Sequence, residues 1–200
     1  MAPMRAALVV LGLIVLVVLG VLFWGVGVNN QLVHSEQGVN EAWSQVQNVY
    51  QRRTDLIPNL VETVKGFATQ ERTVLEEVTK ARASVAQIQA TPELINDPAA
   101  FQKFQQAQSE LGGALSRLLV TVERYPELKS NQNFLALQSQ LEGTENRIAV
   151  ERRRYNEAVR DYNTRIRLFP ASMVASFRGF RDKQYFEATP GSEAPPKVKF

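Results

Sequence analysis

Glu142 and Glu145 are the pair whose type and spacing come nearest to chemistry in this chain. Three residues apart on a helix, two carboxylates share a face, where they could divide acid and base roles or hold a cation. Asn146 and Arg153 fall on or beside that face, and Arg152 accompanies them in the packing seam. No histidine, nucleophile motif or second set of ligands goes with the pair, so the expected use is ion pairing with Arg147, Arg152 or a facing helix. Glu71, Glu142, Glu145, Asn146, Arg152 and Arg153 are therefore read as structural polar residues. No residue is assigned a catalytic, cofactor-binding or metal-binding role.

A second polar group gathers around Pro58, where Arg53, Asp55 and Asn59 would form either a recognition point or local caps at a bend. His34, six residues past an apolar run, reads as an interfacial polar residue. The run Arg152-Arg153-Arg154, with Arg160, Arg165 and Arg167, could meet phosphates, but its spread around a helix marks a solvated, salt-laced surface.

Composition narrows the chemistry further. The 200 residues include no cysteine and one histidine. Disulfides, thiolate catalysis, thiolate metal sites and histidine clusters are excluded. A net charge of +3, mixed with acidic residues throughout, makes no nucleic-acid footprint.

What must position these residues begins with a charge-free apolar run, Ala6 to Val28. As a helix it reaches about 35 Å, enough to cross a hydrocarbon core of about 30 Å with some tilt. It is longer than a signal-peptide h-region and lacks a small-x-small cleavage site, so it reads as a retained single-pass anchor. Trp24 sits where an indole meets headgroups. Residues 1–5 form a short N-terminal tail, residues 29–187 a helical domain, and residues 188–200 a Pro-, Gly-, Ser- and Lys-rich tail read as disordered. Arg5 precedes the span and no Arg or Lys follows until Arg52, so flanking charge favours an exported domain, facing the periplasm or cell exterior, at a bacterial cytoplasmic membrane.

The remainder reads as all-α, a long-helix antiparallel bundle of three long helices plus a short C-terminal one. From Val39 to Ala90 one heptad line runs Val39, Val46, Leu60, Phe67, Val74, Ala81 and Ile88, beside Trp43, Tyr50, Ile57, Val64, Val78 and Val85. Arg53 and Glu71 interrupt this coiled-coil-like seam. Pro58 should bend the helix, which would be about 75 Å long. Asp97-Pro98 starts a second helix through Val122, in which Gly112-Gly113 would let a neighbouring helix approach closely. Phe134, Leu141, Ile148, Tyr155, Tyr162 and Phe169 recur by seven along a third, ended by Pro170. A short helix from Ala171 to Glu187 would lay Met173, Val174, Phe177, Phe180 and Phe186 on the bundle.

With short loops the three long helices alternate in direction. The second and third, about 40 and 54 Å long, cannot cover a first helix of about 75 Å. The stretch around Val39, Trp43, Val46 and Tyr50 would then be left bare beside the membrane, a surface for copies of the same chain or for another membrane protein.

These residues also carry a family resemblance. The stretch Arg52-Arg53-Thr54-Asp55-Leu56-Ile57-Pro58-Asn59-Leu60-Val61-Glu62 resembles the hallmark segment of the LemA family. Tyr125-Pro126-Glu127-Leu128-Lys129, Leu137-Gln138-Ser139-Gln140-Leu141-Glu142-Gly143-Thr144-Glu145-Asn146-Arg147 and Arg153-Arg154-Tyr155-Asn156 are similar to later blocks of it, as are Phe169-Pro170, Gly179-Phe180 and Tyr185-Phe186-Glu187. The resemblance implies a single N-terminal anchor, a long-helix bundle and no established enzyme activity, in a family that includes a magnetosome membrane protein. It also implies a cytoplasmic helical domain, opposite to the flanking charges. A membrane-anchored scaffold that self-associates or binds partner proteins is the function expected; a membrane quality-control accessory is the alternative, and a hydrolase using Glu142 and Glu145 the more remote one.

Overall fold

The structure, a computed structural model, describes residues 2–67 and 70–187. Its helices are α1 (Ala2–Phe67), α2 (Arg72–Ala86), α3 (Pro98–Val122), α4 (Pro126–Lys129), α5 (Gln132–Arg167) and α6 (Ala171–Arg178), with a 3-10 turn at Pro92–Asn96. The fold is all-α, as its periodicity requires. The tail at 188–200 lies outside the described residues, and helix α1 already begins within the stretch read as an N-terminal tail. The chain divides into two compact units, Met1–Glu41 with Ala158–Asp182 and Ala42–Glu157 with Lys183–Phe200.

The first unit carries the apolar run. Helix α1 is the one helix among the described residues long and apolar enough to cross a membrane, and none of its most apolar window is buried. Leu8, Leu11, Leu13, Ile14, Leu16 and Phe23 are all exposed. That is the pattern of a helix meant for lipid. Beyond the run, Leu32 and Val39 are fully buried, as are Val159 and Tyr162 of α5. Burial pushes the Tyr162 phenol above its usual range, and Glu36 and Asp182 push the same way.

The second unit is an up-down-up-down arrangement of α1, α2, α3 and α5. Arg82 of α2 donates to the Thr54 carbonyl and Trp43 Nε1 to the Thr91 carbonyl, so the chain retraces α1 as it leaves α2. Arg117 of α3 pairs with Glu77 of α2, reversing direction again. Helix α5 runs back along α1: Trp43 neighbours Tyr155, and Arg53, ten residues further on, neighbours Glu145, ten residues earlier. Ile57, Leu60 and Val64 of α1, Leu75, Val78 and Val85 of α2, Leu111, Leu115 and Leu118 of α3, and Phe134 and Leu141 of α5 close one core.

Four expectations change here. The first long helix does not continue to Ala90; α1 ends at Phe67 and α2 starts at Arg72, with Glu71 as its N-cap residue. Glu71, read as an interruption within a helix, marks the turn, where its carboxylate takes Arg124 and the Tyr125 hydroxyl at 3.1 and 2.9 Å. The distal half of the imagined helix therefore folds back as a fourth bundle helix, and the mismatch in lengths disappears. Val39, Trp43 and Val46 are fully buried and Tyr50 nearly so, not bare.

The other differences are local. Pro58 lies inside α1, with Ile57 and Leu60 still in the core. Gly112 and Gly113 do not admit a neighbouring helix: a Cβ at Gly112 would meet nothing within 4 Å, and one at Gly113 only the Arg117 guanidinium. Helix α6 stops at Arg178 rather than reaching Glu187, because Gly179 takes φ 78° and its N–H and that of Phe180 close on Ser176 and Ala175 in a Schellman turn. Met173 and Phe177 consequently face solvent, whereas Phe186 alone of that set is buried.

Candidate functional site

The centre of the second unit is an aromatic cluster built from four chain segments. Trp43 of α1 is fully buried against Phe101 and Phe104 of α3, Tyr155 of α5 and Phe186 of the C-terminal segment, with ring centroids 5.5 to 6.1 Å apart. Edge and tilted contacts of this kind exceed plain area burial by about 1 kcal/mol a pair. The C-terminal segment is stitched in by polar bonds. Asn156 Nδ2 donates to the Phe186 carbonyl and its Oδ1 accepts the Phe186 N–H, both at 2.9 Å, while the Tyr155 hydroxyl donates to the Gln184 carbonyl at 2.8 Å. Burial raises the Tyr155 phenol above its ordinary range.

Nearly three turns beyond Trp43 along α1 the interior becomes charged. Arg53 is 3% exposed. Its Nη1 donates to Glu145 Oε1 at 2.9 Å and its Nη2 to the side-chain oxygen and backbone carbonyl of Gln108, while Nε is buried without a hydrogen-bond partner. The guanidinium also lies over the Tyr50 ring, 5.2 Å from its centroid. Burial raises the Tyr50 phenol, opposed by the nearby Arg152 and Arg53 charges and reinforced by Glu145. A guanidinium suits this place because its planar fork meets three acceptors and an aromatic face at once.

Arg53 forms the floor of a cleft of about 500 Å³ that opens to solvent. Tyr50, Glu145 and Arg152 line it with a row from α3, Gln102, Gln105, Gln106 and Ser109, spaced so that all four fall on one helix face. Arg152 closes one end, its guanidinium 4.6 Å from the Phe186 ring centroid and its Nη2 donating to the Glu187 carbonyl. Two arginines face two glutamates, so the lining is polar but close to neutral.

The two polar groups read from the sequence are thus redistributed. Arg53 of one meets Glu145 and Arg152 of the other at the cleft, together with Tyr50 of the stripe expected to be bare. Asp55 is exposed and takes Gln51, and the Asn59 carbonyl takes Thr63 on the outer face, so neither joins Arg53. Glu142 accepts from Gln138 on the surface, away from the Arg53 pair, and Asn146 lines a neighbouring hollow with Glu142. Arg153 is exposed and Glu71 is engaged at the α2 turn. Helix α3 supplies what was missed, Gln108 and the amide row. Four glutamines between positions 102 and 108 were the available signal.

Residues 42–200, most of the chain, match the LemA family. The chain belongs to the LemA family. Three magnetosome proteins are similar to this LemA chain. Magnetosome protein MamQ 2 and MamQ 1 of Paramagnetospirillum magneticum are each 25% identical over 83% of it and 67% of their own length. Magnetosome protein MamQ of Magnetospirillum gryphiswaldense is 25% identical over 76% of it and 62% of its own length. Family membership together with the apolar part of α1 supports a membrane-anchored helical protein. Among the described residues no group of three or more His, Asp or Glu is placed to hold a metal ion.

Proposed function

We propose that this LemA protein is a single-pass scaffold of the bacterial cytoplasmic membrane, with residues 6–28 as anchor and 29–187 as a domain that holds a partner protein. The cleft above Arg53 carries this reading. Its amide row offers donors and acceptors side by side, which suits a peptide backbone, and its balanced charge suits neither a strong anion nor a cation. Tyr50, Arg53, Glu145 and Arg152 are the residues assigned to the contact. Similarity to proteins named for the magnetosome supports a place in a membrane-associated assembly.

Self-association is the second way such a scaffold works, supported by the heptad seam but no longer by a bare stripe, since Trp43 and Tyr50 are interior. An outward-facing domain is supported by Arg5 before the span and the lack of basic residues up to Arg52. Alkaline phosphatase and green fluorescent protein fusions at the C-terminus read that orientation directly.

The test of the scaffold is purification of the full chain from gently solubilised membranes, beside Gln105→Trp, which fills the cleft. A protein recovered in stoichiometric yield with the parent and lost with the variant supports the reading, and its identity as a protease or chaperone would assign the quality-control role. Recovery of further copies alone would make the assembly homo-oligomeric. A bare monomer from both preparations overturns the proposal.

A further inference from the structure

Helix α6 is built inside out for a protein in water. Ala175 is buried, while Met173 and Phe177, each two residues from it and so on the opposite side of the helix, are 64% and 90% exposed. Leu168 and Phe169, immediately before the helix, are exposed as well, at 59% and 80%. Four large apolar side chains are therefore exposed close together in the chain, between positions 168 and 177, in and just before a single short helix. Lone exposed hydrophobes are ordinary, but a contiguous set of them marks a contact.

The place of this surface says what covers it. Arg178, the last residue of α6, donates from Nε to Asn29 Oδ1 at 3.1 Å. Asn29 directly follows the apolar run of α1, so α6 lies at the level where that helix leaves the hydrocarbon. Gly25, Val28 and Asn29 are partly covered at this level, whereas the run before them is bare. The surrounding charge is mainly basic: Arg165, Arg167, Arg178 and Arg181 stand exposed, against Asp182, which takes Arg167 at 2.8 Å, Asp161, which takes Arg160, and the half-buried Glu36 beside Tyr162. Long arginine side chains beside apolar rings are suited to reach headgroups while the rings enter the acyl boundary.

We propose that Leu168, Phe169, Met173 and Phe177 seat in the bilayer interface, held there by arginine contacts with anionic headgroups, so that the chain grips one leaflet through α6 as well as crossing it through α1. The two contacts are contiguous on one unit, and the Gly179 turn sets the geometry by ending α6 where Arg178 meets α1. The occupant is lipid. A second copy of the chain would also cover the apolar rings, but it would not account for the basic rim at the exit of the span.

The chain has no cysteine, so single sites can be labelled in the intact protein. Phe177→Cys and Met173→Cys, labelled with an environment-sensitive dye and reconstituted into phosphatidylglycerol-containing proteoliposomes, are compared with Val120→Cys, an exposed site on α3. Expected are blue-shifted emission and several-fold stronger quenching by spin-labelled lipid at positions 177 and 173 than at 120. Adding Arg165→Gln and Arg181→Gln should weaken that quenching in anionic vesicles and leave it unchanged in phosphatidylcholine. Labels at 173 and 177 that are quenched by aqueous iodide as readily as the label at 120 overturn the proposal. So does a blue shift that lipid quenchers do not reach and that disappears on dilution, since that signals a protein partner. Equal quenching in both vesicle types with and without the arginines overturns the headgroup contact.

Discussion

Arg53 and Glu145, ninety-two positions apart, meet at 2.9 Å with the arginine side chain 4% exposed and the glutamate 44%. The pair joins α1 to α5 at the floor of the cleft, and Gln108 of α3 shares the same guanidinium. A charge this deep is tolerated because three acceptors take it from two helices, and because one edge of the glutamate stays in water.

Removing Arg53 should therefore cost more than removing its partner. Arg53→Ala strands Gln108 and Glu145 and opens a cavity, an expected loss of about 2 to 4 kcal/mol. Glu145→Gln retains an acceptor at a half-exposed site and should cost about 1 kcal/mol. Chemical unfolding followed by circular dichroism in detergent ranks the two, and equal losses would contradict the asymmetry.

Trp43 and Trp24 separate the bundle from the anchor. Trp43→Ala empties the centre of the aromatic cluster and should lower the unfolding free energy by about 3 to 5 kcal/mol. Trp24 is 44% exposed within the apolar run, and Trp24→Ala should leave bundle unfolding unchanged while altering indole emission in lipid.

Two glycines should respond with opposite signs to the same change. At Gly179 the backbone is left-handed, φ 78°, so Gly179→Ala costs about 1 kcal/mol and frays α6. Gly112 sits inside α3 with open space where a Cβ would go, so Gly112→Ala should add about 0.5 to 1 kcal/mol of stability. Melting temperatures of the two variants, moving down and up from the parent, are the readout.

Alkaline pH should unfold the bundle by ionising its interior phenols. Tyr50, Tyr155 and Tyr162 are all raised by burial above the ordinary phenol value of 10.0. The unfolded chain gives up these protons first, so their contribution is complete below pH 10 and is lost as pH climbs through the folded values. Phenolate absorbance of these residues should appear together with the loss of helical circular dichroism. Tyr155→Phe, which forfeits the bond to the Gln184 carbonyl, should also cost about 1 kcal/mol near neutral pH.

Local pattern carried far in this chain. An uninterrupted apolar run marks the anchor wherever the rest of the protein goes, because the thickness of a bilayer sets its length. The heptads of α1 and α5 mark core residues, since a side chain repeating every seven positions stays on one face: Trp43, Val46, Ile57, Tyr155 and Tyr162 are all interior. Asp97 before Pro98 starts α3 with its carboxylate on the Ala99 and Ala100 N–H groups, a cap that depends on neighbours in sequence alone.

Direction and partnership were decided in three dimensions. A heptad line reads the same whether its helix continues or folds back, and so the turn at Glu71 showed in the sequence only as an interruption. Its carboxylate is held by Arg124 and Tyr125, more than fifty residues away. Once α2 turns, α3 runs parallel to α1, Gln108 comes under Arg53, and a stripe that looked bare becomes the core. Helix α6 shows the converse: Met173 and Phe177 have the composition of core residues, yet the Gly179 turn and the Arg178 contact leave them facing outward beside the exit of the span. Residue type records a preference for burial, and only the packing of distant segments determines whether protein or lipid provides it.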